Sequence, residues 1–134
     1  MKDYKPDFNS AGGLNDDYIK FFRYGENLLS NERGILSFIT NSSYLKSQAA
    51  QQMRKHLLQT FDDIYIINLN GMNNKQDENV FDIRCEVAII FCVKKEEQSK
   101  PELANVYYES ILGSRRFKFD WLNQHTLGDL NEEK

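Results

Sequence analysis

The segment Gly34-Ile-Leu-Ser-Phe-Ile-Thr40 runs into Asn41-Ser42-Ser43, and this junction gathers the side chains best suited to hold a polar ligand. Ile35 to Ile39 reads as a near-continuous apolar strand, the kind expected to be buried on both faces of a parallel sheet. Thr40, Asn41, Ser42 and Ser43 stand where that strand gives way to a helical pattern. In open α/β sheets ligands gather at the carboxyl ends of strands. The hydroxyl and amide groups there could line a substrate groove. They could also cap the next helix, accepting from its first free backbone N–H groups.

A second cluster lies in Asp77-Glu-Asn-Val-Phe-Asp-Ile83, a polar loop leading into the apolar strand Val87 to Val93. Enzymes that modify a nucleobase take it out of the duplex and stack it on aromatic rings. Phe81, with Val80 beside it, could supply such a surface, or both could anchor the loop to the core. A third cluster sets Arg115, Arg116 and Lys118 among Phe117, Phe119 and Trp121. Basic groups with aromatics can meet phosphates and bases. The plainer alternative is an amphipathic strand or turn. His56 and His125 are isolated, without metal-ligand spacing, so no zinc site is read. Arg54-Lys55-His56 reads as the solvated face of a helix.

The chain that must position these groups has 134 residues, one domain by length, with 40% apolar residues, so a packed core is expected. Its formal net charge of -3 argues against a surface that attracts nucleic acid as a whole. Any DNA contact must be local. Cys85 and Cys92 fall on opposite faces of a regular strand, which disfavours a disulfide and suits reduced thiols in a cytoplasmic protein. No run approaches the roughly 18 apolar residues of a membrane span. The N-terminus lacks the apolar core of a signal peptide.

Residues 1–13, with Gly12-Gly13, read as a flexible lead-in. The pattern predicts a first helix from Asn15, its cap, to Leu29. Gly25 within its apolar face implies close approach by a neighbouring element. A second helix is expected from Leu45 to Gln59, with Leu45, Ala49, Met53 and Leu57 four apart. Strands are expected over 64–69, 86–94 and 106–109. The ten-residue polar loop 70–79 carries no helix pattern, so the strands on either side of it should pair antiparallel. The helix between the first two strands permits a parallel crossover. The tail 123–134 reads as polar and frayed.

Taken in order, four segments resemble the C-terminal half of the catalytic domain of adenine-specific DNA methyltransferases of single-chain restriction–modification enzymes. They are Asp16-Asp-Tyr-Ile-Lys-Phe-Phe22, Gly34 to Leu45, Met53-Arg-Lys-His-Leu-Leu58, and Asp77 to Phe81 with Val87-Ala-Ile-Ile-Phe91. The resemblance covers residues 14–122. It implies a partial methyltransferase-like (Rossmann-like) three-layer α/β fold, with a mixed sheet of three or four strands, one of them antiparallel. It implies that Phe81 and Val80, with Asn41, Ser42 and Ser43, border the target base. Tyr18, Phe21 and Thr40 would lie near the adenine of S-adenosylmethionine, though Tyr18 and Phe21 could simply pack in the core. Arg115, Arg116 and Lys118 would be the nucleic-acid contacts.

Two family motifs have no counterpart here. Pro6 and Pro101 are the two prolines and are not adjacent, so the Asn/Asp-Pro-Pro-aromatic catalytic motif is missing. No glycine-rich turn follows a strand to take the cofactor. The isolated chain is therefore expected to bind no cofactor and transfer no methyl group. It reads as a fragment or split gene product whose partners would be DNA and a separate N-terminal methyltransferase half. A non-catalytic interaction module completing such a half, or a single-strand nucleic-acid binder, are the alternatives. An uncovered sheet edge beside Ile35 to Ile39 would favour a homodimer.

Overall fold

The computed structural model describes residues 17–29, 32–95 and 102–133. The lead-in 1–13, the Asn15 cap and part of the charged break after Lys94 lie outside the described residues. The elements are α1 (Asp17–Leu29), β1 (Gly34–Asn41), α2 (Gln51–Thr60), β2 (Asp63–Asn70), β3 (Val87–Lys94), β4 (Asn105–Ser110), α3 (Arg115–Gln124) and β5 (Asn131–Glu133). Two short 3-10 turns, Ser43–Leu45 and Gln48–Ala50, separate β1 from α2.

The fold is a mixed α/β sheet in the order β1-β3-β2-β4-β5, a partial Rossmann-like arrangement. β3 runs antiparallel to both β1 and β2, while β2 and β4 pair in parallel. β1 and β2 therefore share a direction, as the intervening helix permits, but β3 is inserted between them. β5 adds a fifth strand, antiparallel to β4, within the stretch read as a frayed tail. Buried Leu130 helps to hold that return in place.

Strand alternation divides the core in two. On one face Leu36, Ile64, Ile66, Ala88, Ile90 and Cys92 pack against Ile19 and Phe22 of α1 and Met53 and Leu57 of α2. On the other, Tyr65, Ile67, Leu69, Val87, Ile89 and Phe91 pack with Val80 of the loop, Trp121 and Leu122 of α3, and Leu130. The result is three layers. Gly25 is the close approach that its place in the α1 pattern implied, because a Cβ there would collide with the Leu36 side chain.

At β1, α2 and Arg54 the structure departs from what the sequence pattern predicts. β1 is not buried on both faces. It forms an edge, and Ile35 and Ile39 are 65% and 44% exposed. Its Leu36 and Phe38 face α1, but the second core cluster contains no β1 residue. α2 also begins later than Leu45, because the chain first turns through the two 3-10 segments. Arg54 holds those turns, its guanidinium donating to the carbonyls of Tyr44 (2.8 Å) and Ser47 (2.6 Å). It is thus a partly buried brace and not solvated surface. Burial lowers its pKa.

Candidate functional site at the carboxyl end of the sheet

Because β1, β2 and β4 share a direction, their carboxyl ends, Asn41, Asn70 and Ser110, lie at one end of the sheet. β3 begins there: Val87 stands opposite both Asn41 and Asn70. The loop 71–86 projects from this end.

At the end of β1, Asn41 Oδ1 accepts the Ser43 N–H at 2.8 Å, and the Thr40 hydroxyl donates to the Asn41 carbonyl. The capping role therefore falls to Asn41, while Ser42 makes no side-chain cap. Ser42 is buried and its N–H donates to the Glu86 carbonyl at 3.0 Å, which joins this turn to the root of the loop. Tyr18 reaches the same place from α1, its hydroxyl 3.0 Å from Ser43 Oγ, and its ring meets those of Phe22 and Tyr44. Thus Tyr18, Thr40, Asn41, Ser42 and Ser43 do come together. Phe21 does not join them, being 60% exposed and outside the core clusters.

The loop has little regular structure, with one isolated bridge between Asn74 and Asp77, yet it is densely bonded. The Asp77 carboxylate accepts from the N–H groups of Gly71 and Met72, both at 2.8 Å, and from Lys118 Nζ at 2.6 Å. Lys118 gives its other two protons to the carbonyls of Leu69 (2.5 Å) and Glu78 (2.6 Å). This satisfies all three ammonium donors, which is what allows a charge to be fully buried. Burial pushes the Asp77 carboxyl up, but the Lys118 hydrogen bond, the two backbone donors and the Lys118 charge outweigh it and hold it below its ordinary value.

Asn79 is also fully buried. Its Oδ1 accepts the Phe81 N–H at 2.9 Å, and its Nδ2 donates to the Cys85 carbonyl at 2.8 Å. One side chain thereby closes the turn 79–85. Gly71, at φ +121°, passes so close beneath Asn79 that a Cβ there would lie 2.6 Å from its amide nitrogen. Val80 turns into the core, whereas Phe81 and Ile83 are each 45% exposed.

The basic cluster is reorganised by the helix that carries it. Lys118 is no surface contact: it is 0% exposed and bound up beneath the loop. Arg115 is turned onto the loop, its Nε donating to the Asn79 carbonyl and its guanidinium paired with Asp82 at 2.8 Å. Arg116 remains at the surface beside Asp120. The alternation of basic and aromatic residues concealed a helix, capped by Ser114, whose Oγ accepts the Phe117 N–H. Sequence reading missed Asp77, Asn79 and the burial of Lys118. The available signal was Asn70-Gly71 followed by further Asx residues, which promises tight turns closed by side chains.

An apolar cavity of about 270 Å³ lies beneath α2, with Leu57, Ile64, Ile66 and Ile90 in its wall, on the face opposite Val80. Among the described residues no cluster of three His, Cys, Asp or Glu could hold a metal. Both cysteines are free, Cys85 exposed and Cys92 buried, and burial pushes the Cys92 thiol up, with Glu26 adding to the effect. No described helix is long and apolar enough to cross a membrane.

A nucleotide-type cofactor needs a glycine turn between strand and helix whose N–H groups are free. Gly113, between β4 and α3, has that placement, but its N–H points at Asp77, the Arg115 N–H donates to Glu78, and the Phe117 ring fills the space. The described residues do not fit a complete site for S-adenosylmethionine.

Fold and site together define a partial Rossmann-like α/β segment, with a bonded loop presenting an aromatic ring at the sheet's carboxyl end. No family model and no curated protein matches the chain. Among solved structures it is similar to DrdV in complex with DNA, at 26% identity over 98% of this chain, with a TM-score of 0.81. It is similar to the ATP-dependent Type ISP restriction–modification enzyme LlaBIII bound to DNA, at 29% identity over 90% of this chain and a TM-score of 0.77. It also resembles a nuclease-deletion mutant of the Type ISP enzyme LlaGI with a DNA substrate mimic, at 27% identity over 98% and a TM-score of 0.81. The chain spans 14%, 9% and 14% of the length of these three proteins. These likenesses support an origin in a restriction–modification enzyme.

Proposed function

We propose that this chain is the C-terminal section of an adenine-specific DNA methyltransferase domain and supplies one wall of the target-base pocket. The complete enzyme would move a methyl group from S-adenosylmethionine to a flipped adenine. The catalytic motif and most of the cofactor site would come from a separate N-terminal half, and both would act on cytoplasmic DNA. The chain alone would be inactive.

The observation that carries this reading is Phe81. It stands 45% exposed on a loop anchored by the buried Asp77 and Asn79, at the sheet end where α/β folds take ligands. An aromatic ring in that position can stack on an extruded base. Tyr18, Thr40, Asn41 and Ser43 would form the neighbouring wall. Likeness to DNA-bound restriction–modification enzymes supports DNA as the partner.

The test is a segment exchange. The chain replaces the matching segment of LlaGI, and labelled-methyl incorporation and 2-aminopurine fluorescence at the target base are measured. Methyl transfer with base flipping is expected. A folded chimera that binds DNA yet neither flips the base nor transfers methyl would overturn the reading.

A second reading, an interaction module completing a separate half, is favoured by one feature. No described strand pairs with the outer edge of β1, and Phe21, Tyr24 and Leu28 on α1 are 60%, 65% and 58% exposed. Copurification with a chain carrying the Pro-Pro-aromatic motif would support it.

A further inference from the structure

We infer that Asp77 and Lys118 are positioning residues for Phe81: a buried clasp that holds the 79–85 tip in its base-accepting form. This inference rests on the reading of Phe81 given above.

The bonds of the pair are directed at the loop. Lys118 Nζ donates to Leu69, Asp77 and Glu78, and Asp77 accepts from Gly71, Met72 and Lys118. One end of the clasp therefore fixes the chain as it leaves β2, and the other fixes it just before Asn79. Asn79 then orients Phe81 through the Phe81 N–H and ties the far side of the tip through the Cys85 carbonyl. Arg115 adds a strap from the same helix, through the Asn79 carbonyl and Asp82. The chain thus passes from clasp to ring through residues 77, 79 and 81, with a hydrogen bond at each.

The cost of this arrangement argues that it does more than close a loop. Desolvating an ammonium and a carboxylate is expensive, and an apolar pair often stabilises a fold as well or better. Yet the exposed end of this segment covers no core: Phe81, Asp82, Ile83, Arg84 and Cys85 all face outward. A rigid mount for an outward-facing ring is useful where the ring must receive a flat ligand without first being ordered.

Cys85 lies at the tip with an exposed side chain, while Cys92 is buried, so a nitroxide on Cys85 reports tip motion in the whole chain. Its electron paramagnetic resonance line shape is measured well below the melting temperature, with far-UV circular dichroism as the check on the sheet. The parent chain should show one immobilised component. Lys118→Met should add a mobile component with the sheet intact, and the milder Arg115→Gln should do so to a smaller degree. If Lys118→Met does not fold, Arg115→Gln decides. An unchanged line shape in the folded variant overturns the clasp.

The same substitutions are then made in the LlaGI exchange enzyme. Lys118→Met should lower 2-aminopurine base capture by roughly tenfold, about what loss of one stacked base gives. A purely structural pair would lower the melting temperature and leave base capture below it unchanged, and that result overturns the positioning role. Phe81→Ala separates the two ideas. Full base capture by that variant removes the Phe81 reading, while the Cys85 line shape still decides whether the clasp holds the tip.

Discussion

Lys118 and Asp77 are 41 residues apart in sequence, and their charged groups meet at 2.6 Å with 0% and 2% of their side-chain surfaces exposed. This contact makes α3 part of the loop between β2 and β3. The Glu78 N–H also donates to the Gly113 carbonyl at 2.8 Å, and the Arg115 N–H to Glu78 at 2.6 Å. Loop and helix N-terminus are thus linked by side chain and by backbone.

Removing one member of a buried pair leaves the other charge without its partner, which typically costs about 3–5 kcal/mol. Lys118→Met should lower the melting temperature by on the order of 10 °C or more. Asp77→Asn combined with Lys118→Met should recover part of that loss, because no buried charge remains. Calorimetry of the three variants checks this. Equal melting temperatures for Lys118→Met and the parent would place the ammonium in water.

The same pair sets a pH dependence. Asp77 titrates below its ordinary value when folded, because the Lys118 contact and two backbone N–H groups outweigh the effect of burial. An unfolded aspartate titrates near 3.9. The stabilisation is therefore complete above about pH 4 and is lost as pH falls through the lower folded value. The gap in melting temperature between the parent and Asp77→Asn should be flat from neutral pH to about pH 5 and close below pH 4. A gap that widens on acidification would contradict the ion pair.

The sequence shows much of the fold and less of the site, and the reasons are local. The apolar runs of β1, β2 and β3 place those strands to within about two residues, since hydrophobic periodicity is their own property. The antiparallel turn from β2 to β3 follows from a loop without a helix pattern. α3 escaped because Arg115 to Trp121 alternates basic and aromatic residues, so its signal lies in the Ser114 cap and in which side chain faces inward. Lys118 faces inward only because three oxygen atoms from residues 69, 77 and 78 converge on it, and no spacing rule reports such a meeting. The exposure of Ile35 and Ile39 depends likewise on what covers the sheet.

The open edge carries its own prediction. β1 bonds to β3 on one side, and no described strand pairs with the other. Exposed apolar edges recruit further strands. The chain should therefore associate at micromolar concentration, as a dimer or larger species. Replacing both Ile35 and Ile39 with Lys should suppress association with little loss of melting temperature, because both side chains are already substantially exposed. Light scattering across that range checks it, and a stable monomer of the parent chain would count against it.

Phe81 is tested most directly in the LlaGI exchange enzyme. Stacking a base on an aromatic ring contributes on the order of 1–3 kcal/mol. Phe81→Ala should then reduce base capture or turnover by roughly tenfold or more. Because the ring is 45% exposed while Val80 beside it is buried, the melting temperature should change little. Phe81→Tyr and Phe81→Trp should restore much of the function, since a flat π-surface is what the contact requires. Phe81→Leu separates stacking from simple filling of space: an aliphatic side chain can anchor a loop but cannot stack. Full rescue by Leu, or full 2-aminopurine signal with Ala, would remove Phe81 from the site and leave Val80 as the loop's anchor alone.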